Sequence, residues 1–362
     1  MKTCFTSLVV LAAAAHSALG WWDNGHLLFA EVASQCLAKD DLTTLNTLLS
    51  GYDKEFPNTG YLTTAAIWMD LMKCDSVVST YCPSDKTPSL KMLDEWHYIN
   101  LPLNVNGTDF KNLTSKDSDK LVKESKGGQS IEILGKTVVL FNKTQSDHAA
   151  NFALRLFVHV FGDVHNPAHN VGGVSAEFPN GDSGANMWTF PKGCVASNLH
   201  AIWDAAGGKY GNINWNVDFV EGTPNYKELQ TNATKLLQKY TLAADDKLGF
   251  AALKDVPYVD FMKAMTGKNN DGLFRAAILE SYDNAREYAY KGLNFTCTME
   301  NGRCVIPCPT QTYVDKVIEI AEKAIAVGGQ RMCVTLTQLA RQIRALKLST
   351  PATTTVAPTP VA

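Results

Sequence analysis

FVHVFGDVHNPAH (157–169) decides how the rest of the chain is read. Leu154, Leu156, Phe157, Val158, Val160 and Phe161 make this segment apolar nearly all round, the pattern of a buried helix. His159 and Asp163 stand four residues apart, so a helix sets both on one face. A buried imidazole and a buried carboxylate need partners, because an unpaired buried charge is strongly destabilising. A His–Asp hydrogen-bonded pair within the core is one solution. A metal ion is the other.

The same spacing recurs in NLHAIWD (198–204), where His200 and Asp204 again stand four apart. His169 follows the first pair just after Pro167. Upstream, AAIWMD (65–70) places Asp70 among apolar neighbours, EWHYIN (95–100) places His97 between Trp96 and Tyr98, and WWDNGH (21–26) ends on His26. Each histidine alone reads as structural. Together, imidazole nitrogens and carboxylate oxygens in this number suggest a site for several metal ions, with zinc the chemistry they suit. His148 and His165 read as surface or supporting groups.

The N-terminus has Lys2, an apolar run over 8–15, and small residues at Ala18 and Gly20, the layout of a secretory leader (1–20) cleaved after Gly20. Cleavage there makes Trp21 the new terminus of ALGWWDNGH (18–26), although a core or interfacial pair is the plain reading of two adjacent tryptophans. The run is too short to span a bilayer and no membrane anchor is expected, so the expectation is a secreted or vacuolar protein. Apart from Cys4, the cysteines are Cys36, Cys74, Cys82, Cys194, Cys297, Cys304, Cys308 and Cys333, an even set that suggests disulfides of open connectivity. Sequons at Asn106, Asn112, Asn142, Asn232 and Asn294 point to the same compartment. The whole chain carries 33 Lys+Arg against 36 Asp+Glu, and no basic stripe marks a usual nucleic-acid footprint. Any attraction for phosphate has to come from elsewhere.

Apolar residues at three- and four-residue spacing predict helices over 24–37, 61–73, 147–165, 198–206, 226–242, 272–292 and 312–346. IEILGKTVVL (131–140) is the main candidate for a β-hairpin. No repeat or linker divides the chain, so the expectation is an all-α fold in a single domain over 21–346. A Thr/Pro-rich tail (347–362) follows it that builds no core.

Trp21 and His26, Asp70 in WMD, His97 in WHYIN, the run holding His159, Asp163 and His169, and His200 and Asp204 in NLHAIWD resemble, in this order, the zinc-dependent class I nucleases of fungi, plants and protists. These are single-strand-specific nucleases and 3′-nucleotidases, related to bacterial zinc phospholipase C. The resemblance implies an all-α fold with three Zn²⁺ at the bottom of a cleft. By similarity Asp70, His97, His159 and Asp163 hold one zinc. Trp21, through its α-amino nitrogen and carbonyl oxygen, holds a second with His26 and a bridging Asp163. His169, His200 and Asp204 hold the third. The implied substrates are single-stranded DNA and RNA and 3′-nucleotides, cleaved to 5′-phosphorylated products by a monomeric enzyme. The zinc ions also make an acidic protein locally positive where phosphate must bind.

Around these ligands the resemblance places Tyr98 as a base-stacking aromatic, with a core tyrosine as the alternative. Lys73 stands where many members have an Arg beside the phosphate, and a lysine lacks the bidentate fork. Asn100 stands where many have a base-bonding Asp. The stretch between His169 and His200 is longer than usual, and its GGV and GDSGAN segments suggest a flexible loop beside the cleft. Two other readings remain: a zinc phospholipase C, for which Glu would be expected at Asp204, and an inert zinc-binding secreted protein.

Overall fold

A computed structural model describes residues 21–73, 90–106 and 113–348. The leader, the tail from 349, Cys74, Cys82 and the sequon at Asn112 lie outside the described residues. The fold is mostly helical, as the spacing predicts. Its helices are α1 (Asp23–Cys36), α2 (Lys39–Ser50), α3 (Leu62–Ala65), α4 (Trp68–Leu71), α5 (Ser118–Lys123), α6 (Ser130–Leu140) and α7 (Asp147–Asp163). They continue with α8 (Leu199–Asp204), α9 (Pro224–Lys239), α10 (Leu242–Asp245), α11 (Tyr258–Thr266), α12 (Leu273–Asn284) and α13 (Gln311–Ala345).

The 35-residue helix α13 is the spine. Thr310 starts it by accepting the Tyr313 N–H on its hydroxyl, a side-chain N-cap. Helix α1 lies directly on it, and the pair of glycines at 328 and 329 makes the approach possible. A Cβ at Gly329 would sit 2.8 Å from the Phe29 carbonyl oxygen. Cys36–Cys333 links the same two helices, and Cys194–Cys308 and Cys297–Cys304 join the later loops.

Helix α7 runs through the centre, capped by Ser146, whose hydroxyl accepts the Ala149 N–H. Its buried Arg155 has partners throughout: Nη1 donates to the Thr59 carbonyl at 2.7 Å, Nη2 to the Leu49 carbonyl at 3.1 Å and Nε to Asn151 Oδ1 at 2.8 Å. Arg155→Met keeps the volume but strands those acceptors, so the variant is expected to lose about 2–4 kcal/mol of stability. Equal denaturation midpoints for variant and wild type would contradict this.

Three elements depart from the sequence expectation. The 131–140 segment is helix α6 and not a hairpin, because Ile131, Leu134 and Val138 fall on one helical face and are buried, and that burial overrides β-branched propensity. The true hairpin joins β4 (Thr298–Glu300) and β5 (Arg303–Val305) across Asn301 and Gly302, whose φ values of 50° and 77° suit an Asn-Gly turn. The predicted 61–73 helix is two short ones, α3 and α4. The break leaves the Ala66 carbonyl outside any helical ladder, where the His159 ring takes it.

The third departure concerns the stretch from His169 to His200, which is pinned and not a free loop. Its β2 (Gly172–Ser175) pairs in parallel with β1 (Pro102–Asn106), and its β3 (Trp188–Thr189) pairs with β5. Gly172 and Gly173 are there for close packing, since a Cβ at Gly172 would lie 3.2 Å from Asn100 Cβ. This ladder locks the His97 and His169 segments together, with Ile99 N–H donating to the His169 carbonyl at 2.9 Å.

Candidate metal centre

Eight side chains singled out by the sequence converge from six segments of the chain. Helix α1 brings His26, α4 brings Asp70, the turn before β1 brings His97, and α7 brings His159 and Asp163 one helical turn apart. His169 follows α7, and α8 brings His200 and Asp204. All eight are buried. Three groups of them have potential ligand atoms within 4.8 Å of one another: His26–Asp70–His159, His97–His159–Asp163 and His169–His200–Asp204.

Asp163 stands at the middle. Its Oδ1 lies 3.3 Å from His26 Nε2 and 3.8 Å from His169 Nδ1, while Oδ2 lies 3.0 Å from His97 Nδ1 and 3.3 Å from His159 Nε2. Burial alone would raise its pKa, but the surrounding imidazoles of His159, His169 and His26 hold it well below the ordinary range. Burial and the nearby Lys73 ammonium push His97 down to about 3. Burial opposes protonation of His169 too, yet Asp163 and Asp204 bring it up to about 9.

Ring orientation comes from the backbone. His159 Nδ1 is bonded to the Ala66 carbonyl, His169 Nδ1 to the His97 carbonyl and His200 Nδ1 to the Gly184 carbonyl. A carbonyl only accepts, so each Nδ1 carries a proton, and Nε2 is the nitrogen that each ring turns toward the cluster. Both ring nitrogens of His26, His97 Nε2 and Asp163 Oδ1 are buried without a hydrogen bond. Buried polar atoms of native proteins are rarely left so. An electropositive partner resolves the set, and the nitrogen and oxygen donors fit a metal of the zinc type.

The two N-terminal tryptophans separate. Trp21 is fully buried, its Nε1 donating at 2.9 Å to the carbonyl of Gly162, the residue before Asp163. Trp22 is 40% exposed, and its N–H donates to the Asp204 carbonyl at 3.1 Å. The segment therefore reaches from the residue before one cluster carboxylate to the backbone of another. Lys73 is buried with Nζ 2.9 Å from Asp70 Oδ1. Tyr98 is half-buried with its ring edge near Gly127, and its hydroxyl donates to Glu95 Oε1 at 3.3 Å. Asn100 is buried, its N–H on the Gly127 carbonyl at 2.9 Å. Tyr98 follows His97 directly and Asn100 stands three residues after it, and neither belongs to the three groups.

Some supporting residues escape the sequence reading. Asn166 Nδ2 donates to Asp204 Oδ1 at 2.7 Å while its Oδ1 accepts the Ala168 N–H, an Asn-Pro turn signal without a hint of its second task. Asp23 accepts the Trp215 N–H at 3.2 Å, and burial with the nearby Asp70 raises its pKa to about 6. Of the spare histidines, His148 is exposed against Tyr52. His165 is buried on the Phe161 carbonyl, with Arg331 beside it, and burial and that cation push it down to about 3.

A family model described as S1/P1 Nuclease matches residues 21–341, which takes in every residue of these groups. The chain belongs to the S1/P1 nuclease family. This nuclease is similar to Endonuclease 5 of Arabidopsis thaliana, at 24% identity over 357 residues that cover 94% of the chain and 97% of the relative. It is also similar to Nuclease S1 of Aspergillus oryzae, at 27% identity over 198 residues, 52% of the chain and 57% of that protein. The nuclease is thus a phosphodiester hydrolase of a metal-dependent family, with His/Asp groups able to hold metal. Among its described residues no helix is long and apolar enough to cross a membrane.

Proposed function

We propose that this nuclease is a secreted, monomeric trinuclear-zinc enzyme that hydrolyses single-stranded DNA and RNA to 5′-phosphorylated products and removes phosphate from 3′-nucleotides. The observation that carries this reading is Asp163, whose two oxygens face different imidazoles while a separate His169–His200–Asp204 group lies beside it. Asp70, His97, His159 and Asp163 would hold one zinc. Trp21, His26 and Asp163 would hold the second, and His169, His200 and Asp204 the third. Zinc bound there supplies a Lewis acid for phosphate oxygens and a lowered pKa for an attacking water. The start of the family match at residue 21 supports the mature chain beginning at Trp21, after a leader over 1–20. The disulfides and sequons support passage through the secretory path.

The remaining roles fall to this chain's own side chains. Lys73 keeps its ammonium charged, since the Asp70 carboxylate outweighs the effect of burial and raises its pKa. That places a fixed cation beside the Asp70 edge of the cluster, where a phosphate would be oriented. Tyr98 would stack an unpaired base, and Asn100 would contact its edge. A base that must be taken out of its stack explains single-strand preference without any reading of sequence. Of the other readings, Asp204 rather than Glu disfavours a phospholipase, and the complete ligand set disfavours an inert binder.

Purified protein beginning at Trp21 should contain close to three zinc ions, cleave single-stranded DNA well above duplex, release phosphate from 3′-AMP, and lose all three properties with chelator. Active protein carrying one zinc or none would count against the proposal. Tyr98→Ala is expected to weaken substrate binding by roughly 1–3 kcal/mol for all four bases while zinc content holds. KM values measured on four homopolymers check this, and a loss confined to one base would exclude a general stacking role.

A further inference from the structure

Asp182 is fully buried in GDSGAN (181–186), and no cation pairs with it among the described residues. Both of its oxygens are filled by donors. Oδ1 accepts the N–H groups of Gly173 at 2.8 Å and Ala185 at 2.9 Å. Oδ2 accepts Trp188 Nε1 at 2.9 Å and the Tyr290 hydroxyl at 2.8 Å. One carboxylate thereby ties together strand β2, the turn that follows, strand β3 and the residue at the end of the π-helical turn Ala285–Ala289.

The tied turn has an uncommon backbone. Ser183, Gly184 and Ala185 have φ values of 57°, 65° and 70°, so three successive residues occupy the left-handed region that Ser and Ala avoid. Such a conformation persists only where its surroundings enforce it. What the turn delivers is the Gly184 carbonyl, which takes the His200 Nδ1–H. Glycine is needed there for space as well, because a Cβ at Gly184 would lie 2.7 Å from the Ala168 carbonyl oxygen and 3.3 Å from His200 Nδ1.

We infer that Asp182 is a positioning residue for the His169–His200–Asp204 group: by holding the 183–185 turn it aims the Gly184 carbonyl at His200 and so sets the zinc affinity of that group alone. The inference rests on the metal reading above. Its physical basis is that a ligand imidazole is fixed in tautomer and angle by the acceptor on its other nitrogen. His159 takes its acceptor from Ala66, so the groups it belongs to do not depend on this turn, and within the third group only His200 takes its acceptor from it, since His169 is bonded to the His97 carbonyl. Asn is a poor substitute for Asp182. All four partners donate, and an amide would turn its own NH₂ toward two of them.

The test is zinc itself. Wild-type holoenzyme, Asp182→Asn, Gly184→Ala and Tyr290→Phe are equilibrated with buffers of stepped free zinc, bound zinc is counted per chain by mass spectrometry, and far-UV circular dichroism follows the fold. Asp182→Asn and Gly184→Ala are expected to lose one zinc at a free concentration about 10- to 100-fold higher than wild type does, with the other two unchanged. Tyr290→Phe removes a single donor and should shift the same step by less. In a His200→Ala background, Asp182→Asn should add nothing further, since both act on one group.

Loss of all three zinc ions together, no shifted step, or a full additional penalty in the His200→Ala background would overturn the inference. If Asp182→Asn does not fold, Tyr290→Phe, which keeps the carboxylate and takes away one of its donors, decides: a shift confined to that one zinc supports the inference and no shift overturns it. A wild-type count below three would overturn the metal reading itself, and this inference with it.

Discussion

Asp163→Ala is expected to lower hydrolysis of single-stranded DNA far more than Asp204→Ala does, by a further order of magnitude or more. Losing a partner that merely supports a metal ligand costs roughly 10- to 100-fold, so losing Asp204 itself should cost at least that much. The two carboxylates differ in what they face. Asp204 lies 3.1 Å from His200 and 3.6 Å from His169, within one group, and Asn166 holds its other side. Asp163 faces His26 and His169 from one oxygen and His97 and His159 from the other. Removing it leaves four buried imidazoles around a missing anion and, on the proposed reading, would take away the ligand that two metals share for activating water. Single-turnover rates with zinc counts and circular dichroism on both variants check this. Equal residual rates in two folded proteins would show that Asp163 is not the shared ligand.

Four of the eight side chains can be read from spacing, because helices turn spacing into geometry, while His26, Asp70, His97 and His169 stand in the motifs that carry the family resemblance. His159 and Asp163, and His200 and Asp204, meet for the reason that residues four apart share a helix face. The all-round apolar character of 154–161 likewise places α7 in the interior. Long-range supports leave no comparable trace. Nothing in AAIWMD announces that the helix breaks so that the Ala66 carbonyl can reach His159, a partner 93 residues away. Asp182 reads as one more turn former in a Gly-rich loop, since two of its four donors, Trp188 Nε1 and the Tyr290 hydroxyl, depend on tertiary structure. The misreading of 131–140 has the same root. Its Ile, Val and Thr content favours strand, and only the burial of Ile131, Leu134 and Val138 selects helix.

A chain that begins Gly-Ser-Trp21 is expected to lose most or all of the activity of one that begins at Trp21, and about one zinc. The free α-amino group has a pKa of about 7.7–8.0, so near neutral pH a metal readily displaces its proton and takes the neutral amine as ligand. With any residue in front, the Trp21 nitrogen is a peptide amide, its lone pair delocalised into the carbonyl and unfit to coordinate. The side chain is already committed to anchoring. Trp21 is fully buried with Nε1 on the Gly162 carbonyl, and a Cβ at Gly25 would lie 2.7 Å from Trp21 Cβ, so glycine at 25 is what lets the tryptophan settle. These contacts hold the Trp21 side chain against Gly162 and Gly25, the residues that precede Asp163 and His26, and a terminal amine on that residue is the ligand the proposed reading gives to their metal. Trp22, 40% exposed with its N–H on the Asp204 carbonyl, keeps the segment from fraying. On the proposed reading, removal of a leader over 1–20 would complete the centre as well as release the protein. Zinc counts and hydrolysis of single-stranded DNA by the two proteins decide the matter. Full activity and full zinc in the extended protein would mean that the amine is not a ligand, and that the buried Trp21 serves packing alone.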